Sequence, residues 1–287
     1  MCYKPFEKYN KQMGIIEYFP CRQCLECRQQ RAKEWALRCM FESKDHEQSC
    51  FITLTYEEKY NPVRLVKSHL QDFIKRLRKS IEPLRIRYFA CGEYGSKNYR
   101  PHFHILIFGY DFEDVYLDRM SERGYPIYTS RKLDKLWGMG LTTVQEVTKN
   151  SSAYCALYAS KYKSCLPEHL KDYPEFNTMS KGLGVPQILR KIDIFLQTDE
   201  IWLDGVKHGI PKICLKKHYL RNDLDGEPYQ WKIERSRTMD NLLFSRKCKG
   251  IFTKRLAMSE LNDDYHEYLL QKKIRKENAI KRLTKKI

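Results

Sequence analysis

The stretch that most constrains this chain runs from Arg100 to Gly109, RPHFHILIFG. Aromatic and β-branched residues ending at a glycine turn signal predict a β-strand. Side chains alternate along a strand, so His102 and His104 leave the backbone on one face. Two imidazoles so placed are a candidate metal-ligand pair; the other reading is a polar pair facing solvent. Glu93, in the preceding run ACGEYGS, is a third ligand within reach. Arg85 to Cys91 (RIRYFAC) reads as a strand that returns through the turn SKNY, and such a hairpin brings Glu93 towards the two histidines.

Other elements follow in order. A helix is predicted from about Glu26 to Ser43, with Ala32, Trp35, Ala36, Cys39 and Met40 recurring at threes and fours, and it should cover one face of the sheet. FITLTYEEKY (Phe51 to Tyr60) reads as a strand with Ile52, Leu54 and Tyr56 on one face and Thr53 and Thr55 on the other. Val66 to Ile81 is an amphipathic helix whose stripe is Leu70, Phe73, Ile74, Leu77 and Ile81. Its remaining surface is crowded by Lys75, Arg76, Arg78 and Lys79. DFEDVYLDRMSERGYP reads as a looser insertion or lid, TSRKLDKLWG as a short helix with Ser130 at its start, and Gly140 to Val147 as a further strand. EIWLDGVKHGIPKICL reads as a hairpin turning at Asp204-Gly205.

Two further patterns carry chemistry. In SSAYCALYASKYKS, Ser151 or Ser152 caps a helix beginning near Ala153. Tyr154 and Tyr158 are one turn apart on its face, and Lys161 follows three residues later. An aromatic stripe packed on the sheet is the competing reading. In PCRQCLECRQQR, Cys21, Cys24 and Cys27 form a triplet that Cys2 or Cys39 would complete as a structural zinc site; three reduced thiols are the alternative.

The charge identifies a partner class. The chain carries a net charge of +17 over 287 residues, with 20 Tyr interleaved, which predicts a polyanionic partner, namely nucleic acid. Residues 271–287 alone hold eight Lys or Arg and one Glu. Lys75, Arg76, Arg78 and Lys79, with Arg100 beside the histidine strand, are the candidate DNA contacts. No segment is long and apolar enough to span a bilayer, and MCYKPFEKYN lacks the apolar core of a secretory signal. A reducing cytoplasm is expected, where eleven cysteines are thiols or metal ligands rather than disulfides.

GEYGSKNYRPHFHILIFG resembles the two-histidine motif of HUH endonucleases, and Tyr154-x3-Tyr158-x2-Lys161 resembles the tyrosine motif that follows it. PCRQCLECRQQRAKEWALRCMFE is similar to the amino-terminal segment of replication initiators from gokushovirus-type microviruses, and NTMSKGLGVP to a glycine-rich segment after their catalytic helix. The resemblance spans most of residues 1–190. It implies an α+β fold with an HUH endonuclease core, a central antiparallel sheet flanked by helices. Three regions are expected: a cysteine-containing segment and helix (1–48), the endonuclease core (49–196), and a hairpin with a basic helical extension (197–287). It further implies Mg²⁺ or Mn²⁺ at Glu93, His102 and His104, with Tyr154 or Tyr158 as nucleophile and Lys161 as its helper. The implied partners are single-stranded and origin DNA and the replication machinery of a bacterial host, in whose cytoplasm the protein acts. A plasmid mobilisation relaxase and a metal-dependent DNA hydrolase without a covalent intermediate are the alternative readings.

Overall fold

Strand alternation sorts the core into two layers on either side of one sheet. The computed structural model describes Cys2 and residues 5–10, 15–95, 98–121, 124, 126–148, 151–152, 155–156, 166–198 and 200–219. The chain falls into two compact units, Met1–Cys214 and Leu215–Ile287; the first carries the sheet. It opens with a hairpin of β1 (Phe6–Asn10) and β2 (Ile15–Phe19), followed by α1 (Leu25–Ser43). Next come β3 (Ser49–Thr55), α2 (Lys67–Ser80), β4 (Arg87–Tyr94), β5 (Pro101–Phe108), β6 (Val115–Met120), β7 (Pro126–Ser130), α3 (Arg131–Trp137), β8 (Thr142–Glu146) and β9 (Phe176–Met179). Strands β3 to β9 form an antiparallel sheet in the order β6-β7-β8-β3-β5-β4-β9. The expected α+β class with a large antiparallel sheet between helices is what the chain adopts.

One sheet face presents Ile52, Leu54, Ala90, Phe103, Ile105 and Ile107 to α2 and α3. Leu70, Phe73, Ile74 and Leu77 of α2 recur at helical spacing and are all buried there, each worth roughly 1.5–3 kcal/mol of burial. The short α3 is closed at both ends. Ser130 Oγ accepts from the Leu133 N–H (3.0 Å), and Gly138 takes the left-handed conformation after the last turn.

The other face presents Phe51, Phe89, Cys91, Leu106 and Phe108, covered by Trp35 and Cys39 of α1. The opposite side of α1 buries Leu37 and Phe41 against Val185, Ile188, Ile192, Ile201 and Leu203. The helix is therefore apolar on two sides, which is why so few of its residues are exposed. The turn expected at Asp204-Gly205 joins the strands Ile201–Leu203 and Val206–His208, with both turn residues at positive φ.

Glu42, fully buried on α1, ties this layer together. Its Oε2 accepts from the Gly184 N–H at 2.6 Å, while Oε1 stands 2.5 Å from Arg87 Nε on β4 and 3.2 Å from His46 Nε2. Gly184 sits at φ +70 against the Arg38 backbone, and a Cβ there would run into the Arg38 carbonyl. Glu42→Ala strips three donors of their acceptor and is expected to cost about 3 kcal/mol, read from the urea midpoint.

Two expectations are corrected. The strand expected from Phe51 to Tyr60 ends at Thr55, and Glu58–Tyr60 form a 3₁₀ turn, because Glu57, Glu58 and Lys59 have no apolar alternation to bury. The segment read as a loose lid is instead ordered by β6, which pairs with β7 and lies at one margin of the sheet. All six residues of β6 are exposed, so the strand has no buried face to betray it. No described helix is long and apolar enough to cross a membrane.

Candidate active site

Two neighbouring rungs of the sheet assemble the candidate ligands. β4 and β5 pair in a register that sets Glu93 opposite His102 and Cys91 opposite His104, and β3 extends the rungs with Thr55 and Thr53. Opposed residues of an antiparallel pair share a face. A carboxylate, two imidazoles and two hydroxyls therefore line the α1 side of the sheet.

His104 is buried, its ring stacked on Phe51 with planes 16° apart. Its Nε2 lies 2.9 Å from Glu93 Oε1 and its Nδ1 lies 3.0 Å from Thr53 Oγ1. An ionised carboxylate only accepts, so Nε2 carries the proton and Nδ1 accepts from the Thr53 hydroxyl. Offering Nε2 to a cation requires the other tautomer. Thr53 permits it, because a hydroxyl can turn and accept from Nδ1 instead.

His102 is already in that tautomer. Its Nδ1 lies 2.6 Å from the Arg100 carbonyl; the carbonyl cannot donate, so Nδ1 bears the hydrogen and the neutral ring keeps its lone pair on Nε2. The ring rests over Gly95, where a Cβ would come within 2.9 Å of His102 Cε1. His102 is partly exposed whereas Glu93 and His104 are buried, so the site opens at its His102 end.

One carboxylate and two imidazoles are a donor set for a divalent cation. The imidazole centroids are 5.9 Å apart, and Glu93 already meets His104. Among the described residues, however, only Cys2, Cys21, Cys24 and Cys27 bring all their ligand atoms within 4.8 Å of one another; Glu93, His102 and His104 are a looser group. Of the two expected fourth cysteines, Cys2 is the one that joins. Cys39 is fully buried among Phe51, Phe89 and Leu106. Within the cluster the Cys24 N–H lowers Cys21 to about 6, while burial and the Cys2 and Cys24 thiols raise Cys27 to about 12.

Tyr154, Tyr158 and Lys161 lie outside the described residues. Their flanks are informative nonetheless. Thr148, not Ser151 or Ser152, caps the segment: the Ser151 N–H donates to Thr148 Oγ1 (3.1 Å) and the Thr148 N–H to Ser151 Oγ (2.7 Å), a reciprocal capping pair. Ser151 and Ser152 are already helical. Cys155 is buried with Cys39 and Cys91, and burial followed by the neighbouring Cys91 thiol pushes its own thiol well up. The described part of this segment thus packs on the face that carries Glu93, His102 and His104.

The basic candidates divide by position. Arg100 donates to the Tyr56 carbonyl at 3.1 Å and pairs with Glu58, so it braces the turn beyond β3 beside the site. Arg76 donates to the carbonyls of Leu136 and Trp137 at the end of α3, Arg78 lies over the Tyr88 ring, and Lys75 pairs with Asp72. Lys79 is exposed. These four belong to α2, on the sheet face opposite the histidines. Thr53 is the site residue that sequence reasoning passed over; its signal was the alternation of FITLT, which put it and Thr55 on one face.

A family model for the replication-associated protein ORF2 matches residues 49–163. The chain is 30% identical to Replication-associated protein ORF2 of Spiroplasma virus 4, over 96% of this chain and 88% of that protein. It is 32% identical to Replication-associated protein ORF4 of Chlamydia phage 1, over 67% of this chain and 51% of that protein. With Replication-associated protein VP4 of Bdellovibrio phage phiMH2K the identity is 36%, over 61% and 58% respectively. No solved structure matches significantly.

Proposed function

This chain belongs to the replication-associated proteins of microviruses, and on that premise we propose that it starts rolling-circle replication by nicking origin DNA with a tyrosine. The observation that carries this reading is the pair of rungs in which Glu93 and His102, Cys91 and His104 face each other on one side of the sheet. Residues 49–196 are the nicking core in this reading, an HUH endonuclease.

The scissile phosphodiester is an anion that repels nucleophiles. Glu93, His102 and His104 would hold Mg²⁺ or Mn²⁺, which supplies charge neutralisation and polarisation at the phosphate. The chain's own residues do the rest. The Arg100 carbonyl keeps His102 Nε2 free of its proton, and Thr53 reverses its hydrogen bond so that His104 can do the same. Gly95 leaves the His102 ring room at the open end, where single-stranded DNA would enter.

Tyr154 or Tyr158 supplies the phenolic oxygen, which attacks phosphorus in line with the departing 3′ oxygen. One P–O bond forms and one breaks. The phenolic proton is taken up by solvent, the 3′ oxygen leaves as a hydroxyl, and the 5′ phosphate stays on the tyrosine. Lys161 would stabilise the phenolate, since an ordinary tyrosine is only about 0.1% ionised at pH 7. A phosphodiester is exchanged for a phosphodiester, so rejoining needs no ATP. The second tyrosine serves the second cut after one round of synthesis, inside the bacterial host and alongside its replication machinery.

The reading is tested by mixing the protein, Mn²⁺ and a single-stranded origin oligonucleotide and resolving the products under denaturing conditions. A band of protein covalently joined to the 5′ side of the break is expected. Cut DNA without that band would hand the reaction to a water nucleophile.

A further inference from the structure

We propose that Cys2, Cys21, Cys24 and Cys27 bind one zinc ion as a closed four-thiolate site that staples the β1–β2 hairpin to the first turn of α1. It is a second metal site, separate from the histidine rungs in ligands and in role.

The geometry is that of a tetrahedron awaiting its centre. With a metal–sulfur distance of about 2.3 Å, the edge of a regular tetrahedron of sulfurs is about 3.8 Å. Cys21 and Cys27 Sγ are 3.9 Å apart, as are Cys24 and Cys2 Sγ, and these two pairs are opposite edges of the figure. All four sulfurs lie within 4.8 Å of one another. Backbone amides support them as they support thiolates in metal sites: the Cys21 N–H points at Cys2 Sγ and the Cys24 N–H at Cys21 Sγ, each at 3.2 Å. Four soft donors with no carboxylate or water among them select zinc and leave no open position.

The fold around the site needs such a closure. A two-stranded hairpin is marginal by itself, and this one buries little. Phe6 and Tyr9 of β1 are 61% and 59% exposed, and neither belongs to any of the buried clusters. Cys2 precedes β1, Cys21 follows β2, Cys24 is the residue before α1 and Cys27 lies in its first turn. One ion therefore joins both ends of the hairpin to the helix that covers the catalytic face of the sheet.

The test uses the full chain, purified with reductant. Elemental analysis should find about one zinc per chain. Exchange with Co²⁺ should give the strong visible bands and sulfur-to-metal charge transfer of a tetrahedral four-thiolate site. Cys2→Ser or Cys24→Ser should lose stoichiometric zinc, while Cys39→Ser and His102→Ala/His104→Ala keep it together with the cobalt spectrum. Chelation of the wild type should expose residues 1–24 to protease, which tests the staple without any substitution. The proposal fails if reduced protein offered Zn²⁺ binds none, if the cobalt spectrum reports nitrogen or oxygen ligands, or if Cys39→Ser loses the metal and Cys2→Ser retains it. It also fails if chelation removes zinc and the hairpin stays protected. The nicking reading survives each of these failures, because its ligands are tested separately.

Discussion

A protein in which Tyr154 and Tyr158 are both phenylalanine binds single-stranded origin DNA and forms no covalent adduct with it. Phenylalanine keeps the ring and removes only the oxygen, so helix packing is retained. Cys155, between them in sequence, remains to anchor the segment on the face that carries Cys91. The expected loss is on the order of 10⁴–10⁶ in rate, the scale set by removing a nucleophile. Each single change, Tyr154→Phe or Tyr158→Phe, leaves a measurable adduct, because the two positions are one helical turn apart in the sequence reading and either hydroxyl can meet the same phosphate. Denaturing gels report the adduct, and filter binding reports the retained affinity. If the double variant still became linked to DNA, the nucleophile would be another residue, with Tyr162 the first to test.

The second large effect belongs to the histidines, and the two positions differ in an instructive way. His102→Ala removes a ligand at the open end of the site, where the ring touches Gly95 and the Arg100 carbonyl. Nicking should fall by about 10³ or more while unfolding free energy changes by less than about 1 kcal/mol. His104→Ala should abolish nicking as well, but with a loss of about 1–3 kcal/mol, since it deprives the buried Glu93 and Thr53 of a hydrogen-bond partner. Nicking rates in Mn²⁺ and urea midpoints for the two variants separate chemistry from folding. Wild-type nicking by a folded His102→Ala protein would remove the histidine pair from the mechanism.

How far such a site can be read from sequence depends on whether each residue's role is local. His102 and His104 follow from a two-residue period, and Glu93 from a hairpin whose return strand is adjacent in the chain. The α2 stripe was equally plain, since Leu70, Phe73, Ile74 and Leu77 repeat with the helix. Glu42 could not be found this way. A carboxylate on a helix reads as surface, and only the approach of Gly184 and Arg87 from distant parts of the chain makes it a buried hub. Arg76 misled in the opposite sense: it reads as a DNA contact, yet its guanidinium is engaged by the carbonyls that end α3. β6 was missed because its residues are exposed, leaving no apolar alternation to recognise.

The register between β4 and β5 has a consequence for how such genes can change over time. Glu93 faces His102 only because the turn between these strands has its present length. A codon gained or lost between positions 95 and 100 would slip one strand by a residue and send the carboxylate and the imidazoles to opposite sides of the sheet. Such an event is as damaging as losing a histidine, though every functional residue would still be encoded. The same event between positions 121 and 125, in the turn joining the exposed β6 to β7, would disturb nothing buried on β6. Length polymorphism among lineages should therefore accumulate in the second turn and be purged from the first.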